Sequence, residues 1–301
     1  MIPKSLAQRF LKDLKKDVEI RVYRSKDMLR FAEELSKLSE RICVEFYDHL
    51  EPKLNLPAIS VGNVFFHTIP MHNELESFLF ALKIANSKRI YDYRCDIITF
   101  VSQFCPNCRI TVDSINRIAM ESLIEHHVVD VVMFPDLASK YDVRSVPTTI
   151  IGDFRIEGAM DLRDVKSWIE VSLNNDYSTY FADKLMNGEL DLVKRTVLSN
   201  PRLSKVLGEL MAHREFIVRL GAMAAIESLW KINPDIVSSA KGEIRSLLRH
   251  RDVRIREDAA MMLGMIGNID DLIFLEEFED DKDIGEVVRE AIKMIRRKER
   301  G

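Results

Sequence analysis

The sequence predicts an α/β region of two consecutive, like-ordered units, followed by an all-α array of stacked helical repeats. Three observations predict it. From about residue 4 to 173, short apolar segments alternate with amphipathic segments of 3–4 spacing, the mark of strands and helices in turn. The order of those segments in the first stretch is repeated in the second. After about residue 177 strand signals stop, and helix starts recur at Val218, Ile255 and Val288, spaced 37 and 33 residues apart. The expected domains are 1–87, 88–174 and 175–301.

The first stretch opens with a helix carrying Leu6, Phe10, Leu11 and Leu14, then the alternating strand Val18–Tyr23. A helix through Met28, Phe31, Ala32, Leu35 and Leu38 leads to a strand at Ile42–Phe46. Gly62-Asn63 is a hairpin signal between Leu56–Val61 and Val64–Phe66, and a helix on Leu75, Phe78, Leu79 and Leu82 closes the unit. In the second stretch, Asp96–Val101 is an apolar strand. A helix runs through Ile110, Val112, Ile115 and Ala119, a strand covers Val128–Met133, and a short helix covers Asp136–Tyr141. Thr148–Ile151 and Phe154–Gly158 pair about Gly152-Asp153, and a helix spans Leu162–Leu173. Each unit is expected to build its own mixed sheet.

The chain has 301 residues, 47% hydrophobic and 31% charged, a globular profile long enough for two or three domains. A net charge of -4 gives no general attraction to nucleic acid or anionic membrane. The start, Met1 to Leu6, leads at once into charged helical sequence without the apolar stretch of a secretory signal, and no run is long enough to span a membrane. Four cysteines, two of them three positions apart, suit a reducing compartment with one special pair, so a cytoplasmic location is expected.

That pair lies in Phe104-Cys105-Pro106-Asn107-Cys108, between a strand and a helix. At the expected N-cap of the helix, Cys105 would meet unpaired N–H groups and the positive end of the helix dipole, which favour thiolate. Cys108, one turn on, is placed to resolve a mixed disulfide. Pro106 at the start of a helix loses no hydrogen bond. A zinc half-site is the alternative. It needs two further ligands, and Cys43 and Cys95 are isolated, while His126-His127 are adjacent, so no metal is expected. Cys43 and Cys95 read as buried small hydrophobes, His126-His127 as a helix end, and Trp168 and Trp230 as core. Val146-Pro147 opens a strand about forty residues after the dithiol, where backbone could pair with an extended substrate. The arginines Arg214, Arg219, Arg249, Arg251, Arg254 and Arg256 read as partners of aspartates such as Asp252 or Asp258, and Arg296 to Arg300 as a solvated helix tip.

With its dithiol after the first strand and Val146-Pro147 before the third, the second stretch resembles a thioredoxin/glutaredoxin-like fold. The two stretches together resemble the tandem thioredoxin-fold module of protein disulfide oxidoreductases. They are closer still to the N-terminal module of the flavoprotein subunit of alkyl hydroperoxide reductase, through Phe65–Phe78 and Cys105-Pro106-Asn107-Cys108. In that module the first fold has lost its dithiol. Here the equivalent place reads Arg24-Ser25-Lys26-Asp27. No Gly-x-Gly-x-x-Gly follows a strand, so flavin and nicotinamide domains are missing from this chain. Many thioredoxins carry a buried carboxylate six residues before the first cysteine; Thr99 stands there, leaving no evident base. Residues Ile255–Gly267 resemble a HEAT repeat.

The expectation is a protein-disulfide exchange enzyme with no cofactor beyond its own Cys105–Cys108 redox-active disulfide. Cys105 attacks, Cys108 resolves, Val146 and Pro147 present backbone to the substrate chain, and Phe104 and Asn107 shape the approach. Its partners would be a protein disulfide or a peroxidase-type substrate, a separate electron donor such as a thioredoxin reductase-like protein, and a protein bound to the repeats. The competing expectation is a redox-sensing adaptor, in which the dithiol modulates what the repeats bind.

Overall fold

Eight short segments form the strands of one mixed sheet in the computed structural model, which describes residues 2–12, 14–48 and 53–299. The leading half comprises α1 (Lys4–Leu11), β1 (Val18–Tyr23), α2 (Lys26–Ser36), β2 (Ile42–Tyr47), β3 (Ala58–Val61), β4 (Val64–Phe66) and α3 (His72–Ile84). The trailing half comprises β5 (Asp96–Val101), α4 (Cys108–Met120), β6 (Glu125–Asp130), α5 (Pro135–Lys140), β7 (Thr148–Ile151), β8 (Phe154–Glu157) and α6 (Leu162–Leu173). Local chemistry explains the boundaries. Gly62 and Gly152, at φ +55° and +58°, turn the two hairpins in a conformation that strains any side chain. Ser25 caps α2 by accepting the Met28 N–H at 3.2 Å, and Asp161 and Asp164 form a capping box on α6.

The sheet order is β2-β1-β3-β4-β6-β5-β7-β8. In each half the first strand pairs in parallel with the second and antiparallel with the third, and the third pairs antiparallel with the fourth. The pattern predicts a separate sheet for each half, but β4 runs in parallel beside β6, matching Val64 to His126 and Phe66 to Val128. The join satisfies two rows of backbone groups that would otherwise be open edges.

Strand β6 lies three residues earlier than the expected Val128–Met133. Its register against β5 starts at Asp96 with Glu125, and Asp130 ends it by turning the chain into α5. His126 and His127 are therefore buried strand residues rather than a helix end. Cys43 is exposed and Cys95 half-buried, not core, because β2 is a strand at the rim of the sheet. Trp168 and Trp230 are each half-buried as well.

Residues Met1–Asn175 and Asp176–Gly301 form two compact units. The second holds α7 (Tyr177–Met186), α8 (Leu190–Ser199), α9 (Ser204–Leu210), α10 (Phe216–Ile232), α11 (Lys241–Leu247), α12 (Val253–Ile266), α13 (Leu272–Glu276) and α14 (Gly285–Lys298), with a 3₁₀ turn before each of α9, α11 and α13. Val218, Ile255 and Val288 are all buried near the starts of α10, α12 and α14, at the positions the repeat spacing picks out. Gly264 lets α12 approach α14: a methyl there would lie 2.8 Å from the Ala291 Cα. Buried Asp271 pairs with Lys241 at 3.3 Å and Arg245 at 2.6 Å. Arg256 reaches Asp283 at 2.8 Å, whereas Asp252 caps its own helix. Arg296 pairs with Glu276, and Lys298 donates to the Met265 and Gly267 carbonyls, so these two are engaged rather than merely solvated; Arg300 lies outside the described residues. Among the described residues no helix is long and apolar enough to cross a membrane.

Candidate functional site

The buried strand β5 stops at Val101, and Ser102–Asn107 turn the chain into α4. Cys105 N–H donates to the Ser102 carbonyl at 2.9 Å, closing a tight turn. The N-cap of α4 is Asn107 and the first helical residue is Cys108, so Cys105 stands outside the helix rather than capping it. The expected interaction is nonetheless present in another form. The otherwise unpartnered N–H of Cys108 donates to Cys105 Sγ at 3.2 Å, so the sulfur receives what a capping oxygen would.

Cys105 is half-buried and Cys108 is 3% exposed. The Val146–Pro147 peptide is cis, and the Val146 carbonyl lies 3.7 Å from Cys105 Sγ, within reach of the thiol proton. This loop is braced from behind: Thr148 Oγ1 donates to the Ser145 carbonyl at 2.7 Å, Ser145 Oγ to Glu157 at 3.0 Å, and Gly158 N–H to the Pro147 carbonyl at 2.9 Å. Phe104 is 76% exposed and lies against the His72 ring with centroids 5.0 Å apart. With Val132 and Met133 it forms the apolar rim of a cleft of about 130 Å³ beside the dithiol turn. The Asn107 side chain is exposed and makes no capping bond. Of the sequence-predicted residues, then, Cys105, Cys108, Val146 and Pro147 come together, Phe104 flanks them, and Asn107 faces solvent.

Sequence reasoning misses an acid. Glu74, 5% exposed on α3 of the leading half, shares a void of about 10 Å³, roughly the room one water needs, with Cys108, Ser102 and Arg109 of the trailing half. Thr68 Oγ1 donates to Glu74 Oε2 at 3.1 Å. No N–H or O–H among the described residues donates to Oε1, and the Asp130 carboxyl is near enough for its charge to act on Glu74. Burial foremost, and then the Asp130 charge, push the Glu74 carboxyl up to about 8. The Cys108 thiol is held well above the ordinary thiol range, first by burial and next by its hydrogen bond to Cys105, with the Glu74 charge adding to both. A signal for Glu74 exists in the sequence: it stands four and eight residues before Phe78 and Leu82, on the apolar stripe of its helix.

The place in the leading half that corresponds to the dithiol carries none. Ser25 there caps α2, and Arg24 N–H donates to the Tyr47 carbonyl at 3.1 Å. Among the described residues no three His, Cys, Asp or Glu side chains converge as metal ligands.

Comparison with known proteins agrees with this fold. Residues 96–170 match the thioredoxin domain family and residues 200–296 match HEAT repeats. Among solved structures, the chain is similar to the N-terminal domain of an alkylhydroperoxide reductase from Enterococcus faecalis. That match has 21% identity and a TM-score of 0.50, covering 56% of this chain and 100% of that one. It is also similar to a protein disulfide oxidoreductase from Aeropyrum pernix, with 19% identity, a TM-score of 0.51, and 57% and 92% covered. A curated relative, described as an NADH dehydrogenase of Ferdinandcohnia aciditolerans, is 27% identical over 189 residues, 54% of this chain. The chain spans about a third (35%) of that relative's length. The molecule thus joins a mixed α/β thioredoxin-like region to a helical HEAT-repeat region.

Proposed function

We propose that this chain exchanges disulfides with a protein partner through Cys105 and Cys108, and that both halves of its sheet serve that reaction as one tandem thioredoxin-fold unit. One observation carries the reading. Cys105 Sγ sits between the Cys108 N–H at 3.2 Å and the Val146 carbonyl at 3.7 Å, with a buried second thiol behind it and a buried carboxyl beside that thiol.

In the reductive direction, the Cys105 thiolate attacks one sulfur of a substrate disulfide. A Cys105–substrate S–S bond forms, and the other substrate sulfur leaves as a thiolate. Cys108 then gives its proton to the ionised form of Glu74 and attacks Cys105 Sγ. The Cys105–Cys108 disulfide forms as the second substrate sulfur leaves, so two electrons have passed to the substrate. A separate reductant restores the dithiol. Run backwards, protonated Glu74 delivers its proton to Cys108 as that sulfur departs. A carboxyl poised near 8 suits either direction at neutral pH, because both of its protonation states are populated within a unit or so. The Val146 backbone offers an acceptor to an extended substrate strand, and Phe104, Val132 and Met133 supply apolar contact. The HEAT repeats, lacking chemistry of their own, would hold a protein partner.

The test is turnover of a protein disulfide, with dithiothreitol as reductant. Wild type should cycle many times. Cys105→Ser should fall to the reductant-only background, and Cys108→Ser should trap about one equivalent of mixed disulfide, visible by mass. If wild type matches the background and Cys108→Ser traps nothing, the proposal is wrong.

A further inference from the structure

Asp130 closes β6 with its carboxylate 2% exposed and no cation paired to it among the described residues. Three backbone N–H groups point at it. Val132 and Met133 donate to Oδ1 at 2.7 and 3.1 Å, and Gln103 donates to Oδ2 at 3.2 Å. Gln103 belongs to the turn that presents Cys105. Val132 and Met133 belong to the apolar rim across the cleft from it. The same carboxyl lies near enough for its charge to act on Glu74, the acid next to Cys108. One buried side chain therefore reaches the nucleophile's turn, the opposing wall and the proton carrier.

We propose that Asp130 is a positioning residue for the dithiol reaction, holding the Cys105 turn and the Val132–Met133 rim in register and setting how firmly its neighbour Glu74 holds the proton it exchanges with Cys108. The inference rests on the disulfide-exchange reading above. A negative charge beside a buried carboxyl favours that carboxyl's protonated form. The groups facing Glu74 are consistent with that. Cys108 and Arg109 on α4 share its void, Thr68 donates to it, and Arg109 is already engaged by Glu76 and Asp113. Burial raises it first, and Asp130 is the charge that raises it further. Asp130→Asn keeps Oδ1 as an acceptor for Val132 and Met133 but replaces the acceptor of Gln103 with an NH₂ and removes the charge.

The experiment follows reaction of the reduced full-length chain, with Cys43→Ser and Cys95→Ser in every variant so that only the dithiol reacts, with the aromatic disulfide 5,5′-dithiobis(2-nitrobenzoate). Attack by Cys105 releases one thionitrobenzoate and resolution by Cys108 releases a second, and the second rate is taken from pH 5.5 to 10. In wild type its midpoint should lie near 8, the value the Glu74 environment imposes. In Asp130→Asn the midpoint should fall by about one unit or more, since a like charge has gone. In Glu74→Gln that ionisation should vanish from the profile. An Asp130→Asn profile that is slower at every pH with the midpoint unmoved would reduce Asp130 to a structural brace and overturn the proposal. Should Asp130→Asn fail to fold, Glu74→Gln decides: a midpoint still near 8 there overturns the pair. A wild type that releases only one equivalent overturns the exchange reading itself, and the proposal with it, so the two failures are told apart.

Discussion

At the scale of single residues, the protein keeps a row of three histidines inside and binds them to one another and to their neighbours. His67 Nδ1 faces the Pro57 carbonyl at 3.0 Å and must donate, so its Nε2 accepts from His127 Nδ1 at 3.0 Å. That leaves His127 Nε2 as a bare, buried acceptor. By the same logic His126 donates to Asn116 and accepts from Thr99, both at 2.8 Å. A proton added to His67 Nε2 would face the His127 N–H, and one added to His127 Nε2 would have only the Glu125 carboxylate at 3.9 Å. Burial holds His67 down to about 3 and His127 to about 4, and His126 lies well below an ordinary histidine too. Lys53, Asp96 and Glu125 face His127 with charges of both signs and change this little. Because these folded-state values lie below the unfolded value of 6.5, their contribution is intact above that pH and is lost as pH falls through the window from 6.5 toward 4. Glu74, displaced upward, works in the opposite sense, so about two histidines' worth remains, or roughly 2–3 kcal/mol per pH unit once well below 6.5. With Trp230→Phe leaving Trp168 as reporter of the α/β unit, the urea midpoint should drop clearly between pH 7 and pH 5. An equal midpoint at the two values would mean the histidines take protons while folded.

At the scale of elements, the hairpins at Gly62 and Gly152, the strands Val18–Tyr23, Asp96–Val101 and Thr148–Ile151, and the helix Leu162–Leu173 are all legible, since their periods are clean and their ends carry turn or capping residues. The pattern misplaces strand β6 because Glu125-His126-His127 reads as surface. Their burial depends on Thr99, Asn116 and His67, which local pattern cannot reveal. It sets the start of α4 two residues early for a similar reason, a sulfur having taken the place of a capping oxygen. Among the repeats, spacing locates α10, α12 and α14 but not how closely they approach. That closeness sits in Gly264, where an added methyl would press on Ala291. Gly264→Ala should therefore cost the repeat unit about 1–3 kcal/mol through overpacking, although alanine is the better helix former. Thermal unfolding of the full chain followed through Trp230 reads this out, and an unchanged or raised midpoint would show that the helices can move apart without loss.

At the scale of the whole molecule, the sequence conveys that two like αβ stretches precede a helical array, and it locates the dithiol and Val146-Pro147. It does not convey the β4–β6 join, because parallel pairing between distant strands leaves no local mark. The join has a consequence for fragments. Residues 1–175 should yield a protected sheet by hydrogen exchange, whereas residues 88–175 alone should lose protection in β6 or associate through its open edge. Protection of β6 equal in both fragments would contradict this. It has a second consequence through Glu74, a leading-half residue set against a trailing-half cysteine. In the proposed exchange, electrons travel only through the sulfurs of one half, while the proton that accompanies them is lodged in the other. A substitution on α3 can therefore retune the acidity at which the reaction runs without touching a sulfur, and one in the Cys105 turn can retune electron affinity without touching the acid. On that proposal the half without a dithiol is not idle; it would be the reaction's proton store.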